Sequence, residues 1–155
     1  MKDIDQWLLE YGESHQNPTN KLIHWFCVPI IYFTIIGLLY SIPVEWGTVA
    51  NIKINIGSII ALLIFVYYIL LSFKVAVGML IFSAICLALS EYIYMLGGTM
   101  GLVITSAVLF VIAWIFQFVG HNIEGKKPSF LKDIQYLMIG PAWVITKLYR
   151  TIGLD

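Results

Sequence analysis

Charge is scarce in this 155-residue chain, in which Asp, Glu, Lys and Arg make up 12% and hydrophobic residues 60%. A soluble globular domain carries about 25% charged and about 45–50% apolar residues, so the composition excludes an ordinary water-soluble domain. Disorder is excluded too, because 15% of the residues are aromatic and disordered segments are poor in aromatics. Nine basic residues balance nine acidic ones without a basic stripe, so the sequence predicts no nucleic-acid partner.

Cysteine is also rare, with two copies. Cys27 and Cys86 both lie inside apolar runs and are interpreted as small hydrophobes, since they indicate no extracellular disulfide framework. No cleavable signal peptide is expected, because the first 16 residues carry acids and lack a short apolar segment before a small-residue site.

The chain is rich instead in long apolar segments. A membrane-spanning helix needs about 20 predominantly apolar residues, and four segments qualify: about 22–44, 54–73, 75–96 and 101–120. Lys74 predicts a tight turn between the second and third segments, and Gly97 and Gly98 mark the turn before the fourth. The predicted fold is therefore all-α: a polytopic membrane protein with four transmembrane helices, forming one domain over residues 1–155.

The distribution of Lys and Arg orients these spans. With four spans, the Lys74 turn and both termini share one side of the lipid bilayer, and that side holds eight basic residues: Lys2, Lys21, Lys74, Lys126, Lys127, Lys132, Lys147 and Arg150. The other side holds only Lys53. The positive-inside rule therefore predicts an integral, multi-pass protein with both termini cytoplasmic.

Two amphipathic segments flank the spans. Apolar residues recur at helical spacing after a possible cap at Asp3, which predicts an interfacial helix over about 3–14. A second amphipathic stretch covers about 129–150, and its apolar part is too short to span. Because Gly140 and Pro141 interrupt it, we expect a broken interfacial or re-entrant helix.

The three histidines all fall near the cytoplasmic interface in this topology. His15 precedes the first span, His24 lies in its first turn, and His121 closes the fourth. Asn17 can cap a helix that has Pro18 at its first position, which leaves His15 in a loop able to fold back towards His24. Imidazole is the commonest metal ligand, so the three rings are candidate ligands. The alternative is that each is an ordinary interfacial histidine.

Polar neighbours accompany two of these histidines. Asn20 and His24 are four residues apart and share a helix face, so Asn20 is a candidate to orient the His24 ring. The alternative is that Asn20 only serves capping. His121 and Glu124 are three apart, with Gln117 one turn deeper on the same face, and histidines with one carboxylate suit non-haem Fe(II). The alternative is that Glu124 is a solvated acid beside nearby lysines.

Taken together, the histidine motifs resemble one small membrane family. The motifs are His15-x4-Asn20-x3-His24 followed by Pro29, and Gln117-Phe118-x-Gly120-His121-x2-Glu124-x3-Pro128. With the four apolar segments, they resemble the 2-hydroxy fatty acid dioxygenases known from fungal phytosphingosine breakdown, a branch of sphingolipid catabolism. The resemblance covers nearly the whole chain.

This resemblance implies an Fe(II)-dependent oxidoreductase of fatty-acid α-oxidation. The expected reaction converts a long-chain 2-hydroxy fatty acid and O2 into the acid one carbon shorter and CO2. The family histidines carry over onto His15, His24 and His121, with Glu124 as a further ligand or a supporting base and with Asn20 and Gln117 behind them. The implied membrane is the endoplasmic reticulum in a eukaryote, or the inner membrane in a bacterium.

The chemistry of the substrate agrees with this expectation. A 2-hydroxy acid offers a carboxylate oxygen and a hydroxyl as a chelating pair, which Fe(II) with open positions can accept beside O2. Lys21, Lys126 or Lys127 are candidates to attract the carboxylate. The chain departs from the family pattern at Cys27, where relatives tend to have glycine, which argues against a required thiol ligand. It also has Lys147 after Gly140-Pro141, where relatives commonly carry a further acid.

Three other functions compete with this one. Three histidines are too few for the di-iron centre of the histidine-rich membrane hydroxylases. A transporter is disfavoured because no charge lies near the centre of any predicted span. A non-enzymatic membrane scaffold, whose amphipathic ends recruit a partner, stays open as the alternative to the dioxygenase.

Overall fold

The computed structural model describes residues 3–49, 52–125 and 130–154. The elements follow in the order α1 (Ile4–Glu13), α2 (Pro18–Tyr40), β1 (Glu45–Val49), β2 (Ile52–Asn55), α3 (Ile56–Leu71), α4 (Phe73–Glu124) and α5 (Phe130–Thr151). The chain forms two compact units, one of residues 1–30 with 112–155 and one of residues 31–111. Both α2 and α4 contribute residues to each unit.

The starts of α1 and α2 follow from local capping. The Asp3 carboxylate accepts a hydrogen bond from the Gln6 backbone N–H at 2.8 Å. Before α2, the Asn17 side chain accepts from the Thr19 backbone N–H at 2.9 Å. Pro18 takes the first helical position, where its missing N–H leaves no bond unmade. The predicted caps are thus confirmed, and α2 begins four residues before the predicted span.

Two of the described helices are long and apolar enough to cross a membrane. They are α2, with 23 residues and a mean hydropathy of 2.1 in its apolar window, and α4, with 52 residues and 2.4. Helix α3 is apolar but has only 16 residues, fewer than the about 20 that a typical span needs. Length and composition therefore identify two spanning candidates, whereas the sequence predicts four spans.

Helix α4 reverses direction at Gly98, whose φ of 63° and ψ of −167° are not helical. A Cβ added to Gly37 of α2 would lie 3.6 Å from Ser90 Oγ and 2.6 Å from Ser106 Oγ. Both serines therefore lie against one point of α2, although in a straight helix they would be about 24 Å apart. The chain folds back at the predicted Gly97-Gly98 turn, where glycine adopts a positive φ without a steric penalty.

A short antiparallel hairpin, β1–β2, departs from the all-α prediction. It fills the connection between α2 and α3, with Thr48 paired to Lys53. The hairpin is rich in β-branched residues, which favour strands. Lys53 forms a salt bridge of 3.0 Å with Glu91, and Glu91 also accepts a hydrogen bond from the Tyr40 hydroxyl. These contacts attach the hairpin to α2 and α4 within the unit of residues 31–111.

The connection between α3 and α4 is a single residue. Ser72 adopts an extended conformation, with φ −166° and ψ 117°, and its backbone N–H donates to the Tyr68 carbonyl at 2.7 Å. Lys74 lies in the first turn of α4. The two helices therefore meet at Ser72, two residues before the lysine that predicted their junction.

Helix α5 is continuous across Gly140 and Pro141, where the sequence predicted a break. Proline removes one backbone hydrogen bond from a helix. The helix is closely packed next to the proline, because a Cβ at Gly140 would lie 3.2 Å from both the Tyr11 hydroxyl and Val28 Cγ1. At this point α5 therefore lies against α1 and α2 of the same unit.

Candidate metal centre

The three histidines come together in the unit of residues 1–30 and 112–155. The ring centroids of His15 and His24 are 4.2 Å apart, those of His24 and His121 are 4.8 Å apart, and those of His15 and His121 are 5.4 Å apart. One ring nitrogen from each histidine lies within 4.8 Å of the other two. The structure thus confirms that these residues, distant in sequence, meet. That they bind a metal stays a prediction.

Backbone carbonyls hold two of the imidazole rings. His15 Nδ1 lies 2.6 Å from the Tyr11 carbonyl oxygen, and His24 Nδ1 lies 2.9 Å from the Asn20 carbonyl oxygen. A carbonyl only accepts, so each Nδ1 carries the hydrogen and donates it. The lone pair in each ring therefore lies on Nε2, the nitrogen left for a metal ion.

The two Nε2 atoms are buried and lack a hydrogen-bond partner among the described residues. His15 is 1% exposed and His24 is 0% exposed, so bulk solvent does not reach the two rings. A buried unsatisfied acceptor costs about 1–3 kcal/mol. A bound cation would satisfy both nitrogens at once, and three imidazoles form a donor set suited to a transition metal.

Burial also keeps the His15 ring neutral. Removal of the ring from water lowers the pKa of His15 from 6.5 to about 4, against the opposing effect of its hydrogen bond to the Tyr11 carbonyl. A neutral imidazole is the form that binds metals. At neutral pH, a proton therefore does not compete with a metal ion for this ligand.

Glu124 contacts the loop that carries His15. Its Oε1 accepts from the Gln16 backbone N–H at 2.7 Å, and its Oε2 accepts from the Asn17 backbone N–H at 2.9 Å. Asn20 Nδ2 donates to the same Oε2 at 3.1 Å. Hydrogen bonds to a carboxylate are stronger than neutral ones. They tie the end of α4, which carries His121, to the loop that carries His15.

Asn20 supports the cluster in two separate ways. Its carbonyl orients His24, because the side chain four residues later on a helix reaches back to that carbonyl. The sequence predicts that Asn20 orients His24 through its side chain, whereas the structure places the backbone carbonyl there. That side chain instead donates to Glu124 and, at 3.3 Å, to the Ser14 carbonyl. A Cβ at Gly120 would collide with Asn20 Oδ1, so the approach of α2 to α4 requires glycine at this position.

The remaining candidates from the sequence lie around the cluster. Gln117 is buried one turn before His121, and its Nε2 has no hydrogen-bond partner in the part of the chain that the structure describes. Cys27 is buried as a free thiol and does not belong to the metal-capable histidine group found among the described residues. Lys126 and Lys127 lie outside the described residues.

Two aromatic residues of the site were not predicted. Tyr11 stacks on His15, with centroids 4.1 Å apart and planes 12° apart. Trp143 of α5 lies beside both rings, 5.6 Å from Tyr11 and 6.0 Å from His15. The spacing of four between Tyr11 and His15 was a usable helical signal. No local signal identifies Trp143, because its position depends on how α5 packs.

Residues 1–152 match the sequence model of a protein family. That family is described as 2-hydroxy-palmitic acid dioxygenase Mpo1-like. A curated relative, the 2-hydroxy-palmitic acid dioxygenase MPO1 of Saccharomyces cerevisiae, is 28% identical over 154 residues. That alignment covers 97% of this chain and 82% of the yeast protein. No solved structure matches the chain.

Proposed function

The chain belongs to the Mpo1-like family, and on this premise we propose that it is an Fe(II)-dependent 2-hydroxy fatty acid dioxygenase. The proposed reaction converts a long-chain 2-hydroxy fatty acid and O2 into the fatty acid one carbon shorter, CO2 and water. The observation that carries the proposal is the histidine cluster, with its two buried and unpartnered Nε2 atoms. The names of the family and of the yeast relative support the substrate class.

In this proposal, His15, His24 and His121 hold the iron. Reduced iron with open coordination positions supplies the activation of O2 in sites of this kind. The Tyr11 and Asn20 carbonyls keep the hydrogen on Nδ1 of the rings they contact. Glu124 acts as a positioning residue, because its hydrogen bonds fix the loop that carries His15.

We further propose that the chain crosses the membrane four times, with both termini cytoplasmic. The proposed spans are α2, α3 and the two arms of α4 on either side of Gly98. Only 22% of the apolar window of α4 is buried, so most of that surface is available to lipid. The acyl chain of the substrate then lies in the hydrocarbon layer while its polar head group meets the histidine cluster. The membrane is the endoplasmic reticulum in a eukaryotic cell and the inner membrane in a bacterium.

Metal analysis tests the proposed site. Protein is purified anaerobically in detergent, loaded with Fe(II), freed of unbound metal and analysed for iron. We expect near-stoichiometric iron in the wild type and in Cys27→Ala, and a sharp loss in His15→Ala, His24→Ala and His121→Ala. Cys27→Ala is a matched control, because it also changes a buried side chain of the same unit. Full iron occupancy in the triple histidine variant would contradict the proposed site.

Product analysis tests the reaction itself. Iron-loaded protein is incubated with O2 and either a 2-hydroxy fatty acid or the unsubstituted acid of equal length, each labelled with 13C at C1. We expect labelled CO2 and the shortened acid from the 2-hydroxy substrate, with little from the unsubstituted acid. Equal release from both would show that the hydroxyl is not recognised. No release from either, in protein shown to hold iron, would contradict the reaction and favour the scaffold function.

A further inference from the structure

A cleft of about 480 Å³ lies next to the histidine cluster, within the same unit. Small-molecule sites have volumes of about 300–1,000 Å³, so the cleft is large enough for a ligand. His15 contributes to its lining, together with residues from α1, the start of α2 and α5. A molecule in the cleft therefore lies next to one of the proposed iron ligands.

Three basic residues line this cleft: Lys21, Lys147 and Arg150. No Asp or Glu is found among the described residues of the lining, although the whole chain carries as many acids as bases. The Lys147 ammonium lies 4.9 Å from the Trp143 ring centroid and 5.9 Å from that of Trp25. Such cation–π contacts stabilise the Lys147 ammonium in its position beside the two rings. Basic side chains thus line the cleft beside the histidines.

The cleft also contains a hydroxyl suited to an anion. Thr146 Oγ1 is buried and has no hydrogen-bond partner among the residues that the structure describes. Trp143, Thr146, Lys147 and Arg150 recur at the spacing of one helix face, and all four line the cleft. One face of α5 therefore presents an aromatic wall, an unpaired hydroxyl and two cations.

We propose that this cleft binds the carboxylate head group of the 2-hydroxy fatty acid. Lys21, Lys147 and Arg150 attract the carboxylate, and Thr146 donates a hydrogen bond to it. Leu8 and Trp143 contact the first carbons of the chain. This inference rests on the proposed function, because it takes the substrate class from there. It assigns substrate binding to α5, whose sequence contains no histidine.

Equilibrium binding to metal-free protein in detergent tests the cleft independently of catalysis. The probes are 2-hydroxyhexadecanoic acid and hexadecane-1,2-diol, which keeps the chain and the 2-hydroxyl but lacks the carboxylate. Loss of a hydrogen bond to a charged group weakens binding by about 10- to 100-fold, and we expect this for the acid in Lys147→Gln/Arg150→Gln. Thr146→Val, which replaces the hydroxyl that donates to the carboxylate, should weaken acid binding by about 10-fold, because that bond also goes to a charged group. Binding of the diol should not change in either variant.

Lys74→Gln is the matched control, because it removes a lysine that does not line the cleft, and its acid binding should equal that of the wild type. Thermal unfolding and iron loading of each variant verify that the fold and the histidine cluster are intact. Unchanged acid binding in Lys147→Gln/Arg150→Gln would overturn the cleft assignment, as would equal weakening for the acid and the diol. Neither result affects the proposed reaction, which is tested separately by the release of labelled CO2 from the iron-loaded wild type.

Discussion

Replacing Gly120 with alanine should distort the histidine cluster without removing any atom of its proposed ligands. An added Cβ would collide with Asn20 Oδ1 and would lie 3.4 Å from Asn20 Cγ and 3.5 Å from Ile23 Cδ1. Asn20 is fully buried, so its amide cannot turn into solvent. Relief of the collision requires movement of α2 away from α4, or loss of the hydrogen bonds from Asn20 to Glu124 and Ser14.

The expected loss of stability in Gly120→Ala is obtained by comparison with a second glycine of α4. Gly101 also lies in α4, and a Cβ added there meets nothing within 4 Å. Both substitutions gain about 1 kcal/mol of helix propensity, so that term cancels between Gly101→Ala and Gly120→Ala. What remains is the overpacking at Gly120, which typically costs about 1–3 kcal/mol. Gly120→Ala should therefore be less stable than Gly101→Ala by about that amount.

The assay combines denaturant unfolding in detergent with an Fe(II) titration of each variant. We expect Gly101→Ala to match or exceed the wild type in stability and to keep its iron affinity. We expect Gly120→Ala to unfold at lower denaturant and to bind iron more weakly, because Asn20 also carries the carbonyl that orients His24. Equal stability and equal iron affinity in the two variants would refute the argument that Gly120 determines the approach of α2 to α4.

Three further predictions concern the Glu124 carboxylate, the Tyr11 ring that stacks on His15 and the membrane topology. Glu124→Gln should keep stoichiometric iron but weaken its affinity by about 10–100-fold; an iron-free variant in a competition titration would identify Glu124 as a ligand instead. Tyr11→Leu should lower stability by about 0.5–1.5 kcal/mol through lost ring stacking while iron still binds, because the backbone carbonyl that orients His15 remains. Unchanged unfolding would show that the stacking contributes nothing. Single cysteines at Ser14 and Thr48, in a chain whose own cysteines are replaced by alanine, should react with an impermeant thiol reagent from opposite sides of sealed vesicles. Labelling of both from one side would contradict four spans.

Much of the candidate site was predictable because its signals are local or follow from apolar segment lengths. Asn17 and Pro18 mark the start of α2 by capping chemistry alone, which places His15 in the preceding loop. The apolar segments predict that the chain returns to its starting side before His121. Together, these two features predict that the distant histidines lie at one level of the membrane. The structure confirms that they meet.

Features that depend on tertiary packing were not predictable. Pro141 ordinarily ends or bends a helix, yet α5 continues through it, beside a Gly140 that lies close to Tyr11 and Val28. The placement of Trp143 and of the cleft depends on the same packing. The position of the Glu124 carboxylate required knowledge of the loop backbone, since two of its three hydrogen-bond donors are main-chain N–H groups.

The backbone bonds that orient His15 and His24 link ion binding to helix formation. Each Nδ1 donates to the carbonyl four residues earlier, so each ring is oriented only while the last turn of α1 or the first turn of α2 is formed. An ion held by these rings therefore binds the folded turns and not the frayed ones. When the free ion concentration is 100 times the dissociation constant, binding stabilises the folded turns by about 2.7 kcal/mol. Amide hydrogen exchange around residues 11–24 should then slow when iron is added, and the loop between α1 and α2 becomes a region whose rigidity reports the occupancy of the centre.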